Sequence, residues 1–255
     1  MSGVDAGPAA VRVWGLPLVP WTRQRAADEV VRLAEAGHPS YFITANVHYA
    51  MLTADDPRLA AINERAAFIL ADGAPLVWAA RRLGTPLPER VAGSDLIYDI
   101  ARRSADCGLG LFFLGGPEGV AEAASARLEA LYPGLRVVGT ACPPHRPLGP
   151  EEHLALIGQI RAAGPDVLMV AFGQPKGELW IAENLEALGV PVCVQVGATL
   201  DFVAGRVRRA PPAFQRAGLE WAYRIWTEPA RLLPRYARDA LFLLGRVARP
   251  SSGNV

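Results

Sequence analysis

Short apolar runs recur along the first two hundred residues, and each is followed by a stretch with helical spacing. Tyr41-Phe42-Ile43, Phe68 to Ala71, Leu109 to Leu114, Arg136 to Gly139, Asp166 to Phe172 and Pro191 to Val196 read as strands. Several are apolar without interruption, as strands covered on both faces are. Val11 to Trp14 adds a short strand, followed by a Pro-broken loop. Between the strands, apolar positions return at helical intervals. Ala26, Val30, Val31 and Leu33-Ala34 mark a helix over Arg23 to Ala36, capped by Thr22 and stopped by Gly37. Helices are also predicted over Val47 to Thr53, Pro57 to Ala66, through Leu76, Val77, Ala80 and Leu83, from near Ser94, up to Tyr132, and over Glu151 to Ala163 and Leu179 to Leu188. Cys142 to Pro150 and Gly173 to Glu178 read as loops. Regular alternation predicts an α/β, Rossmann-like fold: a largely parallel sheet with helices on both faces.

The alternation stops after Gly205, and a boundary near Arg206 to Pro212 divides a core of residues 1–205 from a helical C-terminal appendage of residues 206–255. Ten arginines in the appendage stand against Glu220, Glu228 and Asp239, a net charge of about +7, which leaves about −6 for the core. Such segregation suggests an anionic partner. At 100° per residue Arg235, Arg238, Arg246 and Arg249 share a sector of about 80°, with Ala237, Leu241, Leu244 and Ala248 opposite. Two readings fit: a basic membrane-surface element with aromatics upstream, or a helix with its apolar face on the core and its arginines in water. Pro229 and Pro234 predict two or more short helices, each proline near a first turn.

Composition narrows the class without naming a chemistry. With 51% apolar and 20% charged residues in 255, the chain is globular. Cys107, Cys142 and Cys193 are odd in number and fit neither a zinc spacing nor a disulfide framework, which predicts a reducing compartment. No signal-like N-terminus and no run of about 18 apolar residues is present, so the expectation is a soluble or surface-bound protein.

The candidate chemistry lies at strand ends, where open α/β sheets bind ligands. Asp72-Gly73 follows the run ending at Ala71; Asp72 is there either a general base or an ordinary turn and cap residue. Thr44 and Asn46 end a neighbouring strand and suit either sugar hydroxyls or caps. Gly115-Gly116 with Gly119, Gly173-Gln174, and Gly197 to Asp201 supply glycine turns where backbone N–H groups could meet phosphate. His48 follows closely but has no Asp or Ser motif beside it. GxSxG, HExxH and Asp-x-Asp patterns are absent, so no metal ligand set is expected. Two rival functions are an NAD-dependent Rossmann-type oxidoreductase, which the missing GxGxxG disfavours, and a non-catalytic membrane-surface adaptor using the basic tail.

Taken in order, the motifs resemble the WecG/TagA/CpsF family of bacterial glycosyltransferases from about Val11 to Val247. The pieces that carry the resemblance are Thr44-Ala45-Asn46, Ala71-Asp72-Gly73, Glu89 to Asp95, Phe113-Leu114-Gly115-Gly116, Gly173 to Lys176, Gly197 to Asp201, Arg209-Ala210-Pro211, Gly218-Leu219-Glu220-Trp221, Tyr223-Arg224, Glu228 to Arg231, and Arg235-Tyr236. The resemblance implies an inverting transfer of a sugar (N-acetylmannosamine-type, uronic acid or related hexose) from a UDP-sugar to a polyprenyl-diphosphate-linked sugar. It implies work at the cytoplasmic face of the cell membrane, in exopolysaccharide or cell-wall synthesis, peripheral to an anionic bilayer and without nucleic acid. It assigns Asp72 as base, groups Arg90 with it, gives Thr44 and Asn46 to the sugar or acceptor, and gives Asp201 to the nucleoside end. Arg224 and Arg231 would reach the diphosphate, and no metal or other cofactor is expected. A homo-oligomer is compatible with the sequence. Two departures matter: Gly177 stands where the family usually has Gln, and Val47-His48 stand where many members carry an acid or amide.

Overall fold

A computed structural model describes residues 9–211, 213–214 and 220–248, with backbone alone at 231, 247 and 248. Six strands, β3 (Ser40–Ala45), β4 (Ile69–Ala71), β5 (Gly110–Gly115), β6 (Arg136–Ala141), β7 (Val167–Ala171) and β8 (Val192–Gln195), form one parallel sheet. Their order is β4-β3-β8-β7-β5-β6. The continuous apolar runs have the expected cause: both faces are covered. On β5, Leu111 and Phe113 pack into one core cluster and Phe112 and Leu114 into the other, on opposite sides of the pleat. The fold is α/β and Rossmann-like, as the alternation predicted.

Helices α1 (Arg23–Ala36), α2 (Val47–Asp55), α3 (Pro57–Arg65), α4 (Ala74–Arg82), α5 (Gly93–Cys107), α6 (Val120–Leu131), α7 (Pro150–Ala163), α8 (Lys176–Leu188) and the short α9 (Thr199–Val203) link and cover the strands. Thr22 caps α1 by accepting from the Arg25 N–H, and Gly37 ends it in the left-handed conformation. Two local expectations change. The loop after the first strand is half of a hairpin: β1 (Val11–Val13) pairs antiparallel with β2 (Leu16–Leu18). Trp14 (φ 52) and Gly15 (φ 90) make its two-residue turn, with the positive φ at both positions that such a turn needs. Helix α8 begins at Lys176, three residues before Leu179, because Pro175 starts its first turn instead of ending a loop.

Beyond the sheet come α10 (Glu220–Thr227) and α11 (Pro229–Ala248). Pro229 opens α11 as predicted. Pro234 does not open another helix; it sits inside a 20-residue one. It removes a single N–H from the ladder, that toward the Ala230 carbonyl. Among the described residues no helix is long and apolar enough to cross a membrane.

Candidate active site

The carboxyl ends of β3, β4, β7 and β8 open into one cavity of about 650 Å³, and α10 and α11 form its far wall. Each of these strand ends delivers polar groups to it. From β4 comes Asp72, whose N–H donates to the Ala45 carbonyl (2.8 Å), so the turn is pinned to β3. The segment after α4 returns to the same spot: the Val91 N–H donates to the Ala71 carbonyl (2.9 Å), and the Gly93 N–H to the Asp72 carboxylate. This return places Arg90 over Asp72, 4.0 Å from Nη1 to Oδ1.

Asp72 lines the cavity with about a quarter of its side chain accessible, and protein surrounds the rest. Burial pushes its carboxyl up to about 7, against the opposing pull of Arg90 and the Gly93 N–H and with help from the Glu220 and Asp95 charges. A carboxylate with that proton affinity at a cavity floor is matched to accepting a hydroxyl proton near neutral pH.

A second polar network forms the neighbouring wall. Asn46 Nδ2 donates to Gln174 Oε1 (2.9 Å), and Gln174 Nε2 donates to the Thr44 carbonyl (3.3 Å) and to Glu178 Oε1 (2.9 Å). Asn46 also caps α2, accepting from the Tyr49 N–H (3.1 Å). Its cap role and its place in the site are therefore one arrangement. Glu178 is buried, its Oε2 has no hydrogen-bond partner, and burial pushes its carboxyl up to about 7.

The helical wall carries the cations. The Arg224 guanidinium lies over the Phe202 ring, 5.5 Å from its centroid, and its buried Nε has no hydrogen-bond partner. Asp239, in the middle of α11, is 5% exposed and pairs with His48 Nδ1 at 2.8 Å, which ties α11 to the first turn of α2. Arg235 lies one turn before it, with Nε 3.9 Å from Asp239 Oδ2. Arginines and an unpaired N–H donor facing a carboxylate suit a diphosphate-bearing substrate attacked by a hydroxyl.

The model of the Glycosyl transferase WecG/TagA/CpsF family matches residues 11–253. The chain belongs to this family. It is 30% identical over 207 residues, 79% of either chain, to the N-acetylglucosaminyldiphosphoundecaprenol N-acetyl-beta-D-mannosaminyltransferase of Bacillus spizizenii (strain ATCC 23059 / NRRL B-14472 / W23).

Of the residues that sequence reading gave to this glycosyltransferase's site, Thr44, Asn46, Asp72, Arg90, Gly116, Gly173, Gln174, Gly197, Asp201 and Arg224 line the one cavity. Gly115 does not. A Cβ on it would stand 2.8 Å from the Phe172 ring, so this glycine (φ +93) allows a close approach behind the cavity wall. Asp201 lines the cavity but is engaged within the chain, 3.5 Å from Arg206. The side chain of Arg231, and Gly218-Leu219, lie outside the described residues.

Sequence reasoning missed Gln195, Asp239 and His145 as site residues and named Arg235-Tyr236 only as a motif; all five are on the cavity wall. Gln195 bears on the Gly177 departure. A Cβ on Gly177 would lie 2.6 Å from Gln195 Cγ and 2.7 Å from its Cδ. The buried Gln195 amide, arriving from β8, thus occupies the space that a side chain at 177 would need. An apolar run ending in a lone Gln was the available signal. His48 was set aside for want of a nearby acid; its acid is 191 residues away in sequence.

Proposed function

We propose that this glycosyltransferase moves a hexose from a UDP-sugar to a polyprenyl-diphosphate-linked sugar, with inversion at the anomeric carbon, during bacterial cell-surface polysaccharide synthesis. The relative's name describes transfer of an N-acetylmannosaminyl group to N-acetylglucosaminyl-diphosphoundecaprenol, and that supports the acceptor class. An N-acetylmannosamine-type sugar, a uronic acid or a related hexose is the proposed donor group. The departure at Val47-His48 argues against borrowing the relative's sugar outright.

The observation that carries the reading is Asp72, a carboxyl of raised proton affinity, in the same cavity as Arg90, Arg224 and Arg235. In one step the acceptor hydroxyl attacks C1 of the donor sugar and Asp72 takes the hydroxyl proton. The new C1–O bond forms as the bond from C1 to the diphosphate breaks, and UDP leaves with both electrons. The arginines and the free N–H of Arg224 balance the charge that develops on the diphosphate. In this reading the step uses no metal.

Residues 1–205 act in this reading as the catalytic core and residues 206–255 as an appendage that completes the site and rests on an anionic membrane. The support for contact is the outward face of α11, where Leu233, Leu241 and Leu244 are exposed beside Arg238, with Trp226 exposed at the end of α10. Leucines and tryptophan for the acyl boundary and arginine for the headgroups are the composition of an interfacial helix.

The test is Asp72→Asn assayed by mass with a panel of UDP-sugars and a short lipid-diphosphate-sugar acceptor. Transfer should fall by about 10²–10⁴-fold while UDP still binds with wild-type affinity. Undiminished turnover in that variant removes Asp72 as the base.

A further inference from the structure

Two guanidinium groups and three carboxylates meet beside the cavity floor, and one carboxylate comes from the C-terminal helices. Arg209 makes a forked pair with Asp95, at 2.5 Å (Nη1 to Oδ1) and 3.0 Å (Nη2 to Oδ2), and its Nε reaches Glu220 Oε1 at 3.3 Å. Arg90 lies among all three acids: 3.5 Å from Glu220 Oε2, 3.6 Å from Asp95 Oδ2 and 4.0 Å from Asp72 Oδ1. Asp72 is thus the most distant of Arg90's partners, and none of the distances to it from a guanidinium is that of a close pair. Glu220 is the first residue of α10 and belongs to the Gly-Leu-Glu-Trp motif, to which no role has been given.

We propose that Glu220 is a positioning residue that arms the base. Docking of α10 brings its carboxylate to Arg90, holds that guanidinium away from Asp72, and leaves the cluster one proton short of balance, with Asp72 as the place for it. The inference rests on the reading of Asp72 as base. Its argument is charge and distance. With Glu220 present the cluster holds one negative charge more than its two arginines offset, so one bound proton neutralises it. Asp95 is not the site of that proton, because Arg209 grips both its oxygens and holds its carboxyl below the usual range despite burial. Glu220 has two guanidinium neighbours, while the only one near Asp72 is Arg90, at the long distance, and its other stabilising contact is the neutral Gly93 N–H. Without the Glu220 charge, two acids face two arginines, Arg90 is released toward Asp72, and the base becomes a weak, ion-paired carboxylate.

The other charged groups around the cavity leave this balance in place. Arg23 acts on Asp95 through its charge alone and is ion-paired with Asp99, His48 is occupied by Asp239, which Arg235 approaches from the preceding turn of α11, and Arg224 lies over Phe202. These line the helical wall, whereas Arg90, Asp95, Arg209 and Glu220 surround Asp72. The consequence is a catalytic core whose base is set for proton transfer only while α10 is in place.

The experiment compares the full-length protein with Glu220→Gln and Glu220→Asp. Glu220→Gln keeps length and an acceptor oxygen but removes the charge; Glu220→Asp keeps the charge. In Glu220→Gln the acid limb of the kcat/KM profile should move down by about one pH unit and the kcat plateau above that limb should fall by about threefold, with KM for the UDP-sugar little changed. In Glu220→Asp the limb should stay near its wild-type position. A carboxyl 13C titration of Asp72, assigned by its loss in Asp72→Asn, reads the same shift without turnover. That second readout separates the two ideas: if Asp72→Asn still transfers sugar, the base reading fails, yet the titration still decides whether Glu220 controls Asp72. An Asp72 titration in Glu220→Gln that superposes on the wild type overturns the inference. So does an equal shift in Glu220→Asp, since the charge would then not be the cause.

Discussion

The sheet core and helix α11 sort their side chains in opposite directions. In the core, Phe112, Phe113, Leu168 and Met169 are essentially without exposure. In α11, Leu241 and Leu244 are 70% and 66% exposed, while Asp239 is 5% exposed and faces inward. The ordinary rule for an amphipathic helix on a globular protein puts leucines on the core. Helix α11 reverses it because the surface it covers is a polar cavity, where Asp239 answers His48 and Arg235, Tyr236 and Leu232 complete the wall. The core is held by its own apolar burial. The helices are held by ion pairs and ring contacts, and they leave an apolar face outward. Their apolar contact with the core is narrow, Phe242 against Trp14 and the buried Leu232.

The largest expected effect comes from removing the cover altogether. Truncation after Gly205 deletes Glu220, Arg224 and the inner face of α11 together. Turnover should fall by about 10³-fold or more, beyond any single loss of an electrostatic contact. The truncated chain should still unfold cooperatively and should no longer sediment with anionic liposomes. Normal turnover by the truncated chain would show that the two regions do not share a site.

A smaller effect tests the outward face by itself. Leu241→Ser with Leu244→Ser removes two exposed leucines that make no part of the cavity wall. Each buried leucine is worth about 1.5–3 kcal/mol on transfer from water, so partition onto vesicles containing anionic lipid should drop by about 10²-fold or more. Transfer to a short, water-soluble acceptor should be unaffected. Vesicle binding at the wild-type level would mean that this face meets something other than a bilayer.

The contrast also explains which parts were legible in the sequence. Strands buried on both faces print themselves as apolar runs, so β3, β5, β7 and β8 could be read within a residue or two. The hairpin turn at Trp14-Gly15 could not, because Pro17 resembles a loop residue and the pairing of Arg12 with Pro17 leaves no pattern. Asp72, Thr44, Asn46 and Gln174 could be placed on the cavity wall because strand ends are predictable places. The Glu178 carboxylate behind Gln174, the Gln195 amide over Gly177 and the His48–Asp239 pair could not, since each depends on a contact between segments distant in the chain. In α11 the periodicity was visible, but periodicity gives the two faces of a helix and not which one turns inward. That choice was made by the polarity of the cavity.

The smallest expected effect lies inside the core and sharpens the comparison from the other side. The core also buries polar groups, but it does so at a cost that depends on pH. Glu178 has a folded-state carboxyl raised to about 7 from an ordinary 4.5, because burial disfavours its charge. Below about 4.5 both folded and unfolded chains hold the proton and the stability from this group is fully present. As pH rises toward 7 the unfolded chain releases the proton first, so that stability is lost, and above 7 the loss is complete. Asp72, raised in the same direction, adds a parallel loss between its ordinary 3.8 and about 7. Glu178→Gln preserves an acceptor for the Gln174 amide and removes the ionisation. Its Tm should lie above the wild type at pH 8, by the equivalent of about 1–3 kcal/mol, and close to it at pH 4.5. Adding Asp72→Asn should flatten most of the remaining slope. A Glu178→Gln variant less stable than the wild type at pH 8 would mean that the Glu178 charge is held favourably. The core and the helices would then be stabilised by the same kind of paired charge.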